Sequence, residues 1–231
     1  MKLLGMLLPG LIEGAQRAAV MEFPGPIERS EERDAALLAM IPLVSEQGWS
    51  VRAIRAAAGP DADLLFPGGA AEMVEAHSDL GDRRMEQAAD GLAETRVSSR
   101  VRALILRRLE QSAGERDAIR RGLSVLSLPG NRMAALRSVA RTVDAIWHAA
   151  GDISADMSWY SKRAILTGVY SATLLFWLRD TSGGSATEAF LDRRLAGVAA
   201  FGQATSSIRR GVSYAASRAA TWSGGMRTRA S

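Results

Sequence analysis

The stretch that decides the fold is MSWYSKRAILTGVYSATLLFWLR, residues 157–179. At about 100° per residue, Leu166, Val169, Tyr170, Thr173 and Trp177 fall within about 100° of arc, the width of a core-facing helix stripe. Carried backwards, the same phase puts Trp159 on the stripe, with Lys162 beside it, and Tyr160 about 100° away. The pair is therefore split between the edge of a core and a surface. The longest apolar run, AILTGVYSATLLFWL at 164–178, falls short of the roughly 20 residues a membrane span needs.

Outward from this helix the chain keeps the same grammar. Leu37, Leu38, Ile41 and Val44 form a stripe that Gly48 ends, Ser50 caps VRAIRAAA, and Gly59-Pro60 stops it. A helical turn, DADLLF, runs into Pro67-Gly68-Gly69, and a long helix follows from Ala70 to about Ala89. RVSSRVRALILRRLEQ, ERDAIRRGLSVLS and residues 131–149 are three more, with Pro129-Gly130 making a turn and Asn131 placed to cap. TSGGS at 181–185 is a flexible break, and Thr187 opens EAFLDRRLAGVAAFG. No segment alternates with period two, so the class is all-α.

Composition narrows the chemistry. The 231 residues, 47% hydrophobic and 23% charged, suit one globular domain with a substantial core. The absence of Cys removes thiol catalysis, disulfides and thiolate metal sites. The residues three before His77 and His148 are Val74 and Ala145, so no Glu-x-x-His pair exists for a bundle metal site. Both histidines read as surface or half-buried groups. There is no nucleophile elbow, phosphate loop or dinucleotide fingerprint, so neither an enzyme nor a cofactor is expected.

Charge is unevenly spread. Residues 1–192 hold 22 basic and 25 acidic groups, whereas 193–231 hold seven Arg and no acid. The excess of Arg over Lys, 27 to 2, fits a GC-rich bacterial gene. In the tail, Ile208, Val212, Ala215, Ala219 and Trp222 recur at 4-3-4-3 spacing, with Arg209 and Arg210 opposite and Arg218 beside the strip. This is the pattern of an interfacial, basic amphipathic helix attracted to anionic lipid. At the other end, MKLLGMLLPGLIEG lacks a clean cleavage site, and a flexible start with Met21 as a candidate initiator is expected. The chain thus divides into a flexible segment 1–33, a helix-turn-helix-like part 34–89, a helical part 90–205 and a basic tail 206–231.

The first three helices, ending in FPGGAAEMVEAH, resemble the layout of TetR regulators: a small helix-turn-helix before a larger helical ligand-binding part. Their groove-reading helix corresponds here to PDADLLF, which is short and carries Asp61 and Asp63 where phosphate would repel them. A degenerate module with no nucleic-acid partner is expected; a ligand-responsive TetR-type regulator is the alternative.

Several segments together resemble one further family, the ubiquinone biosynthesis accessory protein known as the ninth coenzyme Q protein. They are EQGWS (46–50), LFPGGAAEMV (65–74), GDRRM (81–85), LPGN (128–131), residues 144–178 and FLDRRLAGVAAFG (190–202). The resemblance implies a TetR-like helical fold without catalysis, a pocket for an isoprenoid lipid or quinone precursor, and peripheral membrane attachment by a terminal amphipathic helix. It also implies docking to the di-iron demethoxyubiquinone hydroxylase through positions that are Asp144, Ile146, Trp159 and Tyr160 here. A homodimer at the cytoplasmic face of the bacterial inner membrane is the corresponding expectation. Leu104, Ile105, Leu123, Leu126, Ile165, Leu174 and Phe176 exceed what single stripes require and are the candidate pocket residues. Ile208, Arg209, Arg210, Val212, Arg218 and Trp222 are the candidate membrane contacts.

Overall fold

The computed structural model describes residues 27–152 and 157–198, without the side chains of 157–160. Every regular element among them is helical: α1 (Glu31–Gln47), α2 (Val51–Ala58), α3 (Gly69–Gln87), α4 (Val97–Gln111), α5 (Arg116–Leu126), α6 (Arg132–Ala149) and α7 (Met157–Trp177). A further helix, α8, covers 185–198. The described residues through Glu188 belong to one compact unit, and those from Ala189 to a second.

Local chemistry sets most boundaries. Ser30 Oγ accepts the Arg33 amide at 3.1 Å at the start of α1, and Ser50 Oγ accepts that of Ala53 at 3.1 Å at the start of α2. Gly48 and Gly59 end these helices at φ 67° and 108°, which only glycine adopts at little cost. The α1 stripe differs in detail from the sequence reading: Ala36, Leu37, Met40 and Val44 are buried, whereas Leu38 is exposed and Ile41 half-buried. Asn131 does not cap α6. Its side-chain amide donates instead to the Val125 carbonyl at 2.8 Å, closing the turn from the α5 side. Thr187 does not open α8, which begins two residues earlier. Asp180 organises that turn, accepting the Ser182 and Thr187 amides at 2.7 and 2.9 Å. Donors from Ser182 and then Thr187 hold its carboxyl well below the usual carboxylate range.

The front helices and the body share a core. Leu37, Met40, Ile54, Phe66 and Met73 pack in one cluster with Ala118, Leu126 and Ala134, so apolar contact runs straight across residue 89. Trp49 bridges the two, its indole N–H donating to the Ala118 carbonyl at 2.8 Å. Gly122 permits the approach of α5: a Cβ there would stand 3.1 Å from Val74 Cγ1 and 3.4 Å from Trp49 Nε1. On α7, Leu166, Val169, Tyr170, Thr173 and Trp177 are all buried, as the phase analysis expects. The carbonyls just beyond α7 are taken up by α5, with Arg120 donating to Leu178 at 2.8 Å and Arg116 to Asp180 at 2.6 Å.

Among the charged clusters that fasten α3, two involve Asp82 and His77. Arg108 on α4 is buried against it, donating from Nε to Asp82 at 2.9 Å, from one terminal nitrogen to Ser112 at 2.7 Å and from the other to the Ser78 carbonyl at 3.1 Å. Thr142 on α6 completes the cluster by donating to Asp82 at 2.8 Å. Gly81 makes room for it: a Cβ there would lie 2.4 Å from the guanidinium carbon. The second cluster pairs His77 with Glu115 at 2.7 Å, with Arg84 donating to Glu115 at 3.2 Å.

Gly81→Ala is expected to displace the Arg108 guanidinium and cost about 3 kcal/mol, the penalty for breaking a buried ion pair. An unchanged urea midpoint would show that Arg108 can step aside. Glu115 supplies a pH-dependent contribution. Hydrogen bonding by His77 above all, with Arg84 assisting, lowers its carboxyl from 4.5 to about 2 against the opposing effect of burial. Its stabilisation is therefore complete above about pH 4.5 and drains away as the pH falls toward 2. The stability difference between the native chain and Glu115→Gln should shrink across that window, and a pH-independent difference would contradict this linkage.

Candidate functional site

A cavity of about 450 Å³ lies between α3, α4, α5, α6 and α7, with Trp49 in its wall. That volume is within the range of pockets for small organic ligands. Its wall is mostly apolar, with Ile119, Leu123 and Leu126 from α5, Val139 from α6 and Leu174 from α7. Polar groups from four helices also line it: His77 from α3, Arg108 from α4 with Ser112 just past its end, Ser138 and Thr142 from α6, and Tyr170 from α7.

The charges in this wall are neutralised before any ligand arrives. Arg108 and Asp82 face each other, and burial pushes the Asp82 carboxyl up against the attraction of Arg108. Burial likewise raises the Tyr170 phenol, which stays protonated at neutral pH. The site presents a neutral, hydrogen-bonding face inside an apolar chamber.

Of the candidate pocket residues, Leu123, Leu126 and Leu174 line the cavity. Leu104 and Ile105 are fully buried away from it, Phe176 is half-buried, and Ile165 is exposed. Trp49, His77, Arg108 and Tyr170 were not anticipated as lining. Tyr170 was legible as part of the α7 stripe, but phase alone cannot tell a core contact from a cavity wall. His77 is buried rather than at the surface, because its ring is satisfied by Glu115. His148 is exposed, with Glu86 at 3.7 Å.

Among the candidate docking residues, Asp144 is half-buried and paired with Arg163. Ile146 is fully buried and so offers no surface of its own, since it packs on the inner side of α6. The side chains of Trp159 and Tyr160 lie outside the described residues. So do Ile208, Arg209, Arg210, Val212, Arg218 and Trp222. Among the described residues no cluster of His, Cys, Asp or Glu could hold a metal ion, and no helix is long and apolar enough to cross a membrane.

The front module lacks a groove-reading helix. Where one would stand, Ala62–Leu65 make a single 3-10 turn of four residues. Asp63 in that turn is bound by Arg55 at 2.7 and 2.8 Å, which occupies a cation that could otherwise meet phosphate.

Comparison with known proteins fits this arrangement. The crystal structure of a TetR transcriptional regulator from Nitrosomonas europaea is 27% identical and superposes with a TM-score of 0.60, over 74% of this chain and 99% of that one. The fold is therefore TetR-like. The COQ9 family model matches residues 133–202. The ubiquinone biosynthesis protein COQ9, mitochondrial, of Xenopus tropicalis is 30% identical over 187 residues, which are 74% of this chain and 59% of that protein. The COQ9-B protein of Xenopus laevis is 29% identical over 74% of this chain and 64% of its own length. The chain thus spans less than two thirds of these frog relatives. The COQ9 protein of Eremothecium gossypii is 31% identical, over 74% of this chain and 70% of its own. Likeness on that scale reaches well beyond the segment matched by the family model, and on its extent the chain belongs to the COQ9 family.

Proposed function

We propose that this chain serves ubiquinone biosynthesis as a non-enzymatic lipid carrier, holding an isoprenoid quinone intermediate in the cavity between α3 and α7. The observation that carries this reading is the cavity itself: about 450 Å³, largely apolar, with its few charges already paired. An apolar chamber of this kind takes up a hydrocarbon chain readily. The names of its COQ9 relatives supply the pathway. Delivery to a di-iron demethoxyubiquinone hydroxylase, with Asp144, Trp159 and Tyr160 at the contact, belongs to the same proposal. So do a homodimer and attachment of the basic tail to an anionic membrane.

A second reading, a ligand-responsive TetR-type regulator, is favoured by the likeness of fold to the Nitrosomonas structure. The four-residue turn and the Arg55–Asp63 pair weigh against it. A gel shift with the DNA upstream of its own gene separates the two.

Gentle purification, organic extraction and mass spectrometry are expected to recover a polyprenyl quinone or precursor at near-stoichiometric level. Recovery of bulk phospholipid only, at trace level, would remove the carrier reading. Transfer of that lipid from anionic vesicles to the purified hydroxylase should fall on truncation at Ser206, with loss of vesicle co-sedimentation. It should also fall in Tyr160→Ala, with vesicle binding retained. Transfer unaffected by either change would place the membrane and partner contacts elsewhere.

A further inference from the structure

The cavity reaches the surface between the α5–α6 turn, the first turns of α6 and the last turns of α7. Ser127, Leu136 and Leu175, one from each of these places, line it and are exposed. Their outer neighbours are apolar as well: Leu128 follows Ser127 in the turn, and Met133 stands three residues before Leu136, on the same side of α6. Leu128, Met133, Leu136 and Leu175 are 55%, 51%, 45% and 58% exposed, four large aliphatic side chains that the core does not take up. Apolar surface gathered in this way marks a place of contact.

Arginines frame the rim. Arg132 stands four residues before Leu136 and Arg179 four residues after Leu175; both are exposed, and neither makes an ion pair among the described residues. Arg120 and Arg121 on α5 are about half exposed, and Arg120 reaches the end of α7 through the Leu178 carbonyl. Of the acids nearby, Asp117 is bound by both of these arginines, Glu28 by Arg33, and Asp180 is buried. The rim therefore stands in an excess of positive charge. Aliphatic side chains fringed by arginine suit the boundary of an anionic bilayer, where the apolar groups enter the acyl layer and the guanidinium groups meet headgroups. A protein partner is met chiefly through aromatic anchors, and the aromatics nearest this rim on α7, Tyr170 and Trp177, are buried instead.

We propose that this rim is a membrane-contact surface: Leu128, Met133, Leu136 and Leu175 rest in the apolar boundary of an anionic bilayer, and Arg120, Arg121, Arg132 and Arg179 hold its headgroups. The body comes down with its cavity open onto the lipid, so that a hydrocarbon chain passes from bilayer to chamber without crossing water. The inference rests on the reading of a peripheral lipid carrier. It adds a contact made by the folded body itself, apart from the basic tail that recruits it.

The test uses the absence of Cys from the chain. Single-cysteine variants of the full chain, Leu136→Cys, Leu175→Cys and, as a control on the front module, Leu64→Cys, are labelled with an environment-sensitive fluorophore. Each is mixed with vesicles of phosphatidylcholine and phosphatidylglycerol. Emission from positions 136 and 175 should move to the blue and weaken in that shift as salt is added, while emission from position 64 stays at its aqueous value. The double variant Leu136→Gln/Leu175→Gln should partition onto the same vesicles about tenfold more weakly, with an unchanged melting temperature. Labels at 136 and 175 that stay aqueous while the chain co-sediments with vesicles overturn the rim contact and leave attachment by the tail standing. Emission already blue before vesicles are added shows a rim covered by protein and overturns it too. Absence of co-sedimentation by the unlabelled full chain overturns the peripheral reading and this inference with it.

Discussion

Arg108 sits inside the helical body with its charge matched by Asp82 and its remaining nitrogens bound to Ser112 and the Ser78 carbonyl. An isolated guanidinium could not be held there, and one wrong neighbour would leave a buried charge unbalanced. Because Asp82 also accepts from Thr142, the same few atoms fix the spacing of α3, α4 and α6 at one level. Gly81 is the geometric condition for this arrangement, since only a bare backbone face lets α3 pass so close to the guanidinium. The cavity opens beside this cluster, with Arg108, Ser112 and Thr142 in its wall.

The TetR-like frame thus appears in a form whose ends have diverged. In the body, α3 to α7 enclose a chamber of a size suited to a small organic molecule. In the front, the element that would read a groove is one 3-10 turn held by its own ion pair. A fold does not carry a function by itself, and here the site and the missing helix point the same way.

Much of the fold was legible because helical phase and caps are local signals. The α7 stripe, the Ser50 cap and the glycine stops all follow from residues within a few positions of one another. What escaped was long-range. His77 is buried because Glu115, 38 positions away, meets its ring, and nothing beside His77 announces that. Asn131 looked like a cap, but its amide found a carbonyl in the preceding helix. Three of the seven candidate pocket residues, Leu123, Leu126 and Leu174, line the cavity, because surplus apolar residues in a sequence feed cores and cavities alike. GDRRM at 81–85 carried more information than its use as a family signature suggested: it contains the glycine, the aspartate and the Asp34-binding Arg83 that hold α3 in place.

Trp49 joins the front core to the chamber wall, bonded to Ala118 and packed against the close approach at Gly122. A front module with a single 3-10 turn in place of a groove-reading helix could otherwise erode without consequence for the body. Here it cannot be discarded, because Trp49 forms part of the chamber wall. Mutational pressure on this module therefore splits in two. Substitutions on its outward side leave the chamber untouched, while those on its inward side reach the chamber wall through Trp49.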